Sequence, residues 1–296
     1  MSKPIWVEAA INGPWGKERQ PGIPVAMADI VADGIAAVEA GAAIVHLHVY
    51  DEATGRQRDD WELYARAIEG IRARVDAIVY PTIPILGSGY AGDMLGSGRY
   101  THLAELAKRG LVEWGVLDPG SCNWLTFAGI PAGETGFIYQ NPGEHIREGM
   151  AVAQAYRIHP SYAIYEPGFT RLGAALAAAY PGLPTPIYRL MFSDDFAWGF
   201  PPRIWALEAH LKLLEEAAPG APAMIAGLGV DVSGLIGAAV ARGVHLRTGL
   251  EDVPFGCTSS NAALVAAMVG ELERQGGRPA SVAEVRAELA GKATSA

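Results

Sequence analysis

The chain has 296 residues, half of them apolar and 19% charged, which excludes an intrinsically disordered polymer and predicts a sizeable buried core. A net charge of −9 argues against nucleic acid or an anionic membrane as partner, and Cys122 and Cys257 are too few and too far apart for a disulfide framework or a zinc knuckle. No stretch approaches the roughly 18 uninterrupted apolar residues of a membrane span. The opening MSKPIWVEAAING lacks the apolar core of a signal peptide, so a cytoplasmic location is expected.

Short β-branched or aromatic runs alternate with Ala/Leu-rich runs of helical period along the whole chain. A strand over 5–10 is followed by a helix over 26–40, and a strand over 43–49 by a helix over 60–74. The same pairing recurs with strand 77–83 and helix 100–109, strand 111–117 and helix 144–157, and strand 162–165 and helix 170–179. Strand 187–192 with helix 202–217, strand 223–226 with helix 232–241, and strand 244–248 with helix 260–275 complete the series. Gly41 and Gly243 follow helical runs, where glycine can take a left-handed C-terminal cap, and Ser260-Asn261 stands where an N-cap is wanted. A last helix over 281–289 (SVAEVRAEL) is expected to pack outside the main body. Eight strand–helix units match an α/β fold of the (β/α)8 TIM-barrel type better than a doubly wound sheet. The expected organisation is one domain over 1–296, with the barrel over about 4–276 and a C-terminal helical extension over about 280–292.

In such a barrel chemistry belongs at the C-terminal strand ends and the loops after them. At the end of the second strand, His46 and His48 share a parity and therefore a face. Two neutral imidazoles so placed can ligate one divalent ion, or they can be paired core histidines held by hydrogen bonds. At the end of the eighth strand, Arg247, Gly249 and Glu251 share a parity and Asp252 follows. Glu251 can complete a two-His, one-carboxylate set with open positions, for which zinc is the first choice among transition metals; the acids can equally be a solvated pair bound to Arg247. At the end of the fourth strand, the turn Gly120-Ser121-Cys122-Asn123 suits a carboxylate or oxyanion, or simply caps its own backbone, and Thr82 invites the same two readings. Gly227 and Gly229 can let a phosphate or pantetheine chain approach the backbone, or can form a tight turn. His102, His145, His210 and His245 are expected to pack or face solvent, and His159 lies at the wrong barrel end for catalysis.

These motifs, in the order EAAING, QPGIPV, EAGAAIVHLHVYD, GSCNW, YEPGF, AGLG, HLRTGLED and SSNAALV, resemble the β-keto acid cleavage enzyme family over nearly the whole chain. HLH and RTGLED are the specific ones. The resemblance implies a zinc-dependent TIM-barrel enzyme, assembling as a homotetramer or related homo-oligomer. It would transfer acyl groups between a 3-oxo acid and acetyl-CoA, giving acetoacetate and a new acyl-CoA. It assigns His46, His48 and Glu251 as metal ligands, Arg247 and Asp252 as catalytic residues, and Ser121 and Thr82 as hydroxyls at the substrate. Asn123, Trp15 and Tyr50 join the expected substrate contacts, with Gly227 and Gly229 beside acetyl-CoA.

The chain departs from the family pattern at three places. A Glu that can hold a substrate ammonium is replaced by the run Pro14-Trp15 after Gly13, with Glu18 the nearest acid. Tyr50 stands where Arg is usual, and Tyr162 and Ala163 stand where acidic residues are common. A substrate without the amino group, neutral or hydrophobic at its far end, is therefore expected. Two rivals are a metal-dependent barrel hydrolase, which needs further histidines at strands five and six, and a barrel that binds metal or CoA without turnover.

Overall fold

The structure, a computed structural model, describes residues 3–85 and 98–293. Eight parallel strands form the central sheet: β1 Val7–Ala10, β2 Ile44–Leu47, β3 Ile78–Pro81, β4 Trp114–Val116, β5 His159–Ile164, β6 Ile187–Phe192, β7 Ala223–Gly227 and β8 His245–Thr248. Ladders run in the order β3-β2-β1-β8-β7-β6-β5-β4, and β3 and β4 lie side by side, so the sheet curls into a nearly closed barrel. Nearly every strand residue is buried, because helices cover the outer face and side chains fill the inner one.

The covering helices are α1 Met27–Glu39, α2 Trp61–Arg72, α3 Thr101–Lys108, α4 Gly143–Tyr156, α5 Pro167–Ala179, α6 Ile204–Ala217, α7 Ile236–Arg242, α8 Asn261–Arg274 and α9 Val282–Ala293. The expected TIM barrel is therefore observed, with boundaries that move for local reasons. The first strand breaks in two, because Pro4–Ile5 leaves the barrel to pair with Arg278–Pro279. β5 begins earlier than expected, at His159, since an edge-of-strand proline at 160 gives up no ladder donor that is needed there. α5 likewise starts at Pro167, whose ring suits the first turn of a helix. The segment 232–241 divides into a 3-10 turn, Ser233–Leu235, and α7, which ends on Gly243 at φ +71° as expected of a left-handed cap. The Ser260 hydroxyl accepts from Ala263 N at 3.2 Å and caps α8.

The N-terminal barrel end is sealed. Trp6 stacks on His245 with centroids 3.8 Å apart and donates to Glu288 of α9. Arg286 of the same helix grips Glu113 and Asp76. His159 bonds Thr185 O at this end, away from the barrel mouth. His102, His145, His210 and His245 are all buried packing residues, so none faces solvent. The opposite end carries two small antiparallel pairs that period analysis missed: Tyr50–Asp51 with Arg56–Gln57, and Cys122–Trp124 with Phe137–Tyr139. No helix among the described residues is long and apolar enough to cross a membrane.

Candidate active site at the barrel mouth

β2 delivers His46, and the residue just beyond its end, His48, sits on the same side of the chain. His48 is pinned at its backbone by Asn12, whose Oδ1 accepts from His48 N at 2.9 Å and whose Nδ2 donates to His48 O at 3.0 Å. On the other side of β1, β8 runs into Gly249 at φ +146°, where an added Cβ would collide with the Ala10 carbonyl. That close approach lets Glu251 N bond Ala10 O at 3.2 Å and swings the Glu251 carboxylate over the two imidazoles. His46 Nε2 is 3.5 Å from Glu251 Oε2, and His48 Nε2 is 3.6 Å from Glu251 Oε1.

One ligand atom from each of the three lies within 4.8 Å of the other two, and all three side chains are buried. The chemistry of this set fits a divalent transition ion. His48 Nδ1 donates to Gln57 Oε1 at 2.8 Å, which leaves the Nε2 lone pair facing Glu251. His48 Nε2 and Glu251 Oε2 are buried without a hydrogen-bond partner among the described residues. Burial holds His46 well below the usual imidazole pKa, so the ring is neutral and can ligate. Burial alone would raise the Glu251 carboxyl; the Arg247 guanidinium outweighs it and holds Glu251 well below the usual carboxylate range.

Arg247 is the hub behind the triad. Its Nε and Nη2 each donate to Asp252 at 2.8 Å, its Nη1 donates to Glu8 at 2.9 Å, and Nη2 also lies 3.2 Å from Glu251 Oε1. Burial works against the Arg247 charge, but Asp252, Glu251 and Glu8 hold it protonated. Burial pushes Asp252 up to about 6, with Arg247 restraining the rise and Glu251 adding to it. Glu8 also accepts from Tyr80 OH at 2.7 Å.

A cavity of about 30 Å³, room for little more than a water, lies against the triad. Thr82 and Trp15 border it, and Trp15 Nε1 donates to Glu251 O at 2.8 Å. Arg247 and Asp252 lie behind the triad and do not border that cavity; they line a separate space of about 520 Å³ between the loop after β7 and α8. Gly227 lines this second space, and Gly229, at φ +67°, turns beside Phe255 and Asp195. Tyr50 is buried beneath the mouth and donates its hydroxyl to Gly13 O. Ser121 and Asn123 are not brought to the triad cavity: both are exposed, the Ser121 hydroxyl accepts from Asn141 N at 2.8 Å, and Asn123 sits in the outer two-stranded pair.

The groups that do border the cavity include two that motif reading passed over. Arg189 of β6 is buried, its Nε has no partner among the described residues, and its Nη2 reaches Asp118 and Ser161 O only at 3.5 and 3.4 Å. Asp118 is held by Tyr139 OH at 2.7 Å and Ala163 N at 2.6 Å. Arg189 pairs in register with Ala163, whose methyl leaves room for the guanidinium where an acidic residue was noted as common. A signal was present for Glu8 and Arg189 alike: a single charge inside an otherwise apolar barrel strand, VEAA and IYRLMF, is costly to bury without a purpose.

A TIM barrel with a buried His-His-Glu cluster at its C-terminal mouth is the class that fold and site define together. The chain belongs to the beta-keto acid cleavage enzyme family, whose model matches residues 4–290. It is 29% identical over 295 residues to 3-oxoadipate:acetyl-CoA acetyltransferase of Cupriavidus necator, an alignment covering 98% of this chain and 95% of that one. It is 26% identical to 3-dehydrocarnitine:acetyl-CoA trimethylamine transferase of Rhizobium meliloti, over 98% of this chain and 97% of that one. Among solved structures, apo ObcA superposes with a TM-score of 0.73 at 16% identity, covering 91% of this chain and 66% of ObcA, a likeness of fold.

Proposed function

We propose that this enzyme transfers an acyl group between a 3-oxo acid and acetyl-CoA, releasing acetoacetate and a new acyl-CoA. The observation that carries the reading is the buried triad of His46, His48 and Glu251, with its unpartnered ligand atoms and its neutral imidazole. These three residues would hold a divalent transition ion, zinc by preference for an N/N/O set. Such an ion, when bound, supplies Lewis acidity to the keto and carboxylate oxygens and so acidifies the protons on C2.

The chain's own residues do the rest. Arg189, a buried cation bordering the cavity with a donor to spare, holds the substrate carboxylate, and Thr82 donates beside it. Asp252, which burial makes more basic than an ordinary carboxylate, receives the C2 proton; it lies behind the triad beside Arg247, so this reading requires the pair to open toward C2 when substrate binds. Arg247 spans from Glu251 to Asp252 and acts as its electrostatic partner, since guanidinium does not ordinarily give up its charge. The C2 carbanion then attacks the thioester carbonyl of acetyl-CoA, CoA migrates to the old keto carbon, and retro-Claisen cleavage returns the proton to the acetoacetate that leaves. Acetyl-CoA approaches along the space behind the triad that Gly227 lines, with Gly229 in the turn beside it. Trp15, in place of an acid after the first strand, supports a substrate whose far end carries no ammonium. Assembly as a homotetramer or dimer belongs to the same reading, and the exposed Ile204 and Trp205 supply apolar surface for it.

The test is metal content together with acetoacetate formation from a 3-oxo acid panel and acetyl-CoA, followed by product mass. His48→Ala is expected to abolish both metal and activity; activity that survives complete metal loss would refute the proposal. Turnover without CoA would instead indicate a hydrolase, and bound metal without turnover a binding protein.

A further inference from the structure

Beyond the small cavity at the triad lies a third space, of about 330 Å³, lined by Pro14, Trp15, Ile85, Trp124, Phe137 and Phe196 among others. Pro14, Trp15, Ile85 and Trp124 border both spaces, so the two are adjacent. The aromatic rings form one packed array: Trp15 lies 6.2 Å from Trp124 and 6.3 Å from Phe196, and Trp124 lies 5.2 Å from Phe137 and 5.3 Å from Phe196. Trp15 is locked by its bond to Glu251 O, which ties the wall of this vestibule to the metal-ligating loop.

A 3-oxo acid seated with its carboxylate and ketone at the triad needs more room than the small cavity offers, and the adjoining space that shares its walls at Trp15 and Trp124 is this vestibule. We infer that the tail is a flat aromatic ring, carried on a linker of a few carbons. The inference rests on the acyl-transfer reading for the head of the substrate, and on the vestibule alone for the tail. A dry cavity of about 150 Å³ already accepts benzene, so a vestibule of this volume admits a ring with its linker. Trp and Phe walls favour ring edges and faces, through offset and edge-to-face contacts that a linear alkyl chain does not make.

Charge at the rim argues in the same direction. Glu18 and Glu134 border the vestibule with Arg19, and all three are exposed. Two carboxylates against one guanidinium disfavour a tail ending in a carboxylate. Arg19 already stands 5.8 Å from the Trp15 ring and 5.0 Å from Phe255, which opposes a second cation at the mouth.

The experiment compares kcat/KM, with acetyl-CoA and the metal-loaded enzyme, for 3-oxo acids of equal length ending in phenyl, n-propyl, carboxylate and trimethylammonium. The phenyl compound is expected to lead each of the others by about tenfold or more. Phe137→Ala is expected to shrink the phenyl-to-propyl ratio about tenfold, a change that a general loss of fold would not produce. In parallel, tryptophan fluorescence is titrated with unreactive 4-phenylbutanoate, hexanoate and adipate. Tightest binding of the phenyl acid, weakened by Phe137→Ala, supports the inference even if no 3-oxo acid is turned over, an outcome that would overturn the acyl-transfer reading alone. Preference for the carboxylate or trimethylammonium tail, or equal binding of phenyl and alkyl acids, overturns the inference and leaves the acyl-transfer reading intact.

Discussion

Replacing Gln57 with Leu tests the claim that this site is built for a metal, without touching a ligand. In the wild type, Gln57 Nε2 is committed to Asp59 at 2.8 Å, and Asp59 in turn accepts from Tyr64 OH at 2.9 Å. The amide oxygen therefore faces His48 Nδ1 at 2.8 Å and sets the tautomer with Nδ1 protonated and Nε2 free. In Gln57→Leu the empty site would move that proton to Nε2, 3.6 Å from Glu251 Oε1. Binding an ion would then require the proton to return to a buried Nδ1 with no acceptor. The cost is one unsatisfied buried donor, about 1–3 kcal/mol, or roughly ten- to hundred-fold in affinity. The assay is competition for zinc against a chelating dye at pH 7.5, with thermal melting to confirm the fold. An affinity within twofold of wild type would refute the reasoning.

Two further outcomes concern the scaffold. His210 is buried between Phe192 and Phe200, and burial lowers its pKa from 6.5 to about 4. The unfolded chain therefore binds a proton that the folded chain refuses between those two values, so stability falls as pH drops below 6.5 and the loss is complete below about 4. Relative to pH 7.5, the cost is about 2 kcal/mol at pH 5 and about 3 kcal/mol in full; His210→Phe should remove that part of the acid sensitivity in urea titrations, and identical pH slopes for the two proteins would contradict it. Gly249→Ala drives a Cβ into the Ala10 carbonyl at a φ that L-residues avoid, so it should cost at least about 2 kcal/mol in denaturant midpoint and loosen metal binding through Glu251. An alanine variant as stable as wild type would show that the turn after β8 is not under this constraint.

The candidate metal triad was legible in two parts: strand parity gave its local pairings, and the family resemblance joined Glu251 to the two histidines. Parity along one strand places His46 and His48 together, and parity along another places Glu251 with Arg247 at the same barrel end. Ser121 and Asn123 show where such logic stops. They sit in a turn at the correct end of the fourth strand, yet that turn continues into an outer strand pair and carries them to the surface. Asp118, three residues earlier, is the group of this segment that borders the cavity. Which of several polar residues faces inward depends on how a loop of some twenty residues folds back, and hydrophobic period says nothing about that.

By itself, the amino-acid sequence determined the barrel and the residues that can ligate an ion. Both follow from short-range regularities: apolar runs of fixed length and alternation, and side chains that repeat every second residue on a strand. Only the tertiary structure decided that Glu8 and Asp252 share Arg247, that Arg189 borders the cavity with a donor to spare, and that Trp15, Trp124, Phe137 and Phe196 enclose one vestibule. Those residues come from loops and strands that are far apart in the chain, and they meet only when the sheet curls and brings the ends of all its strands to one mouth.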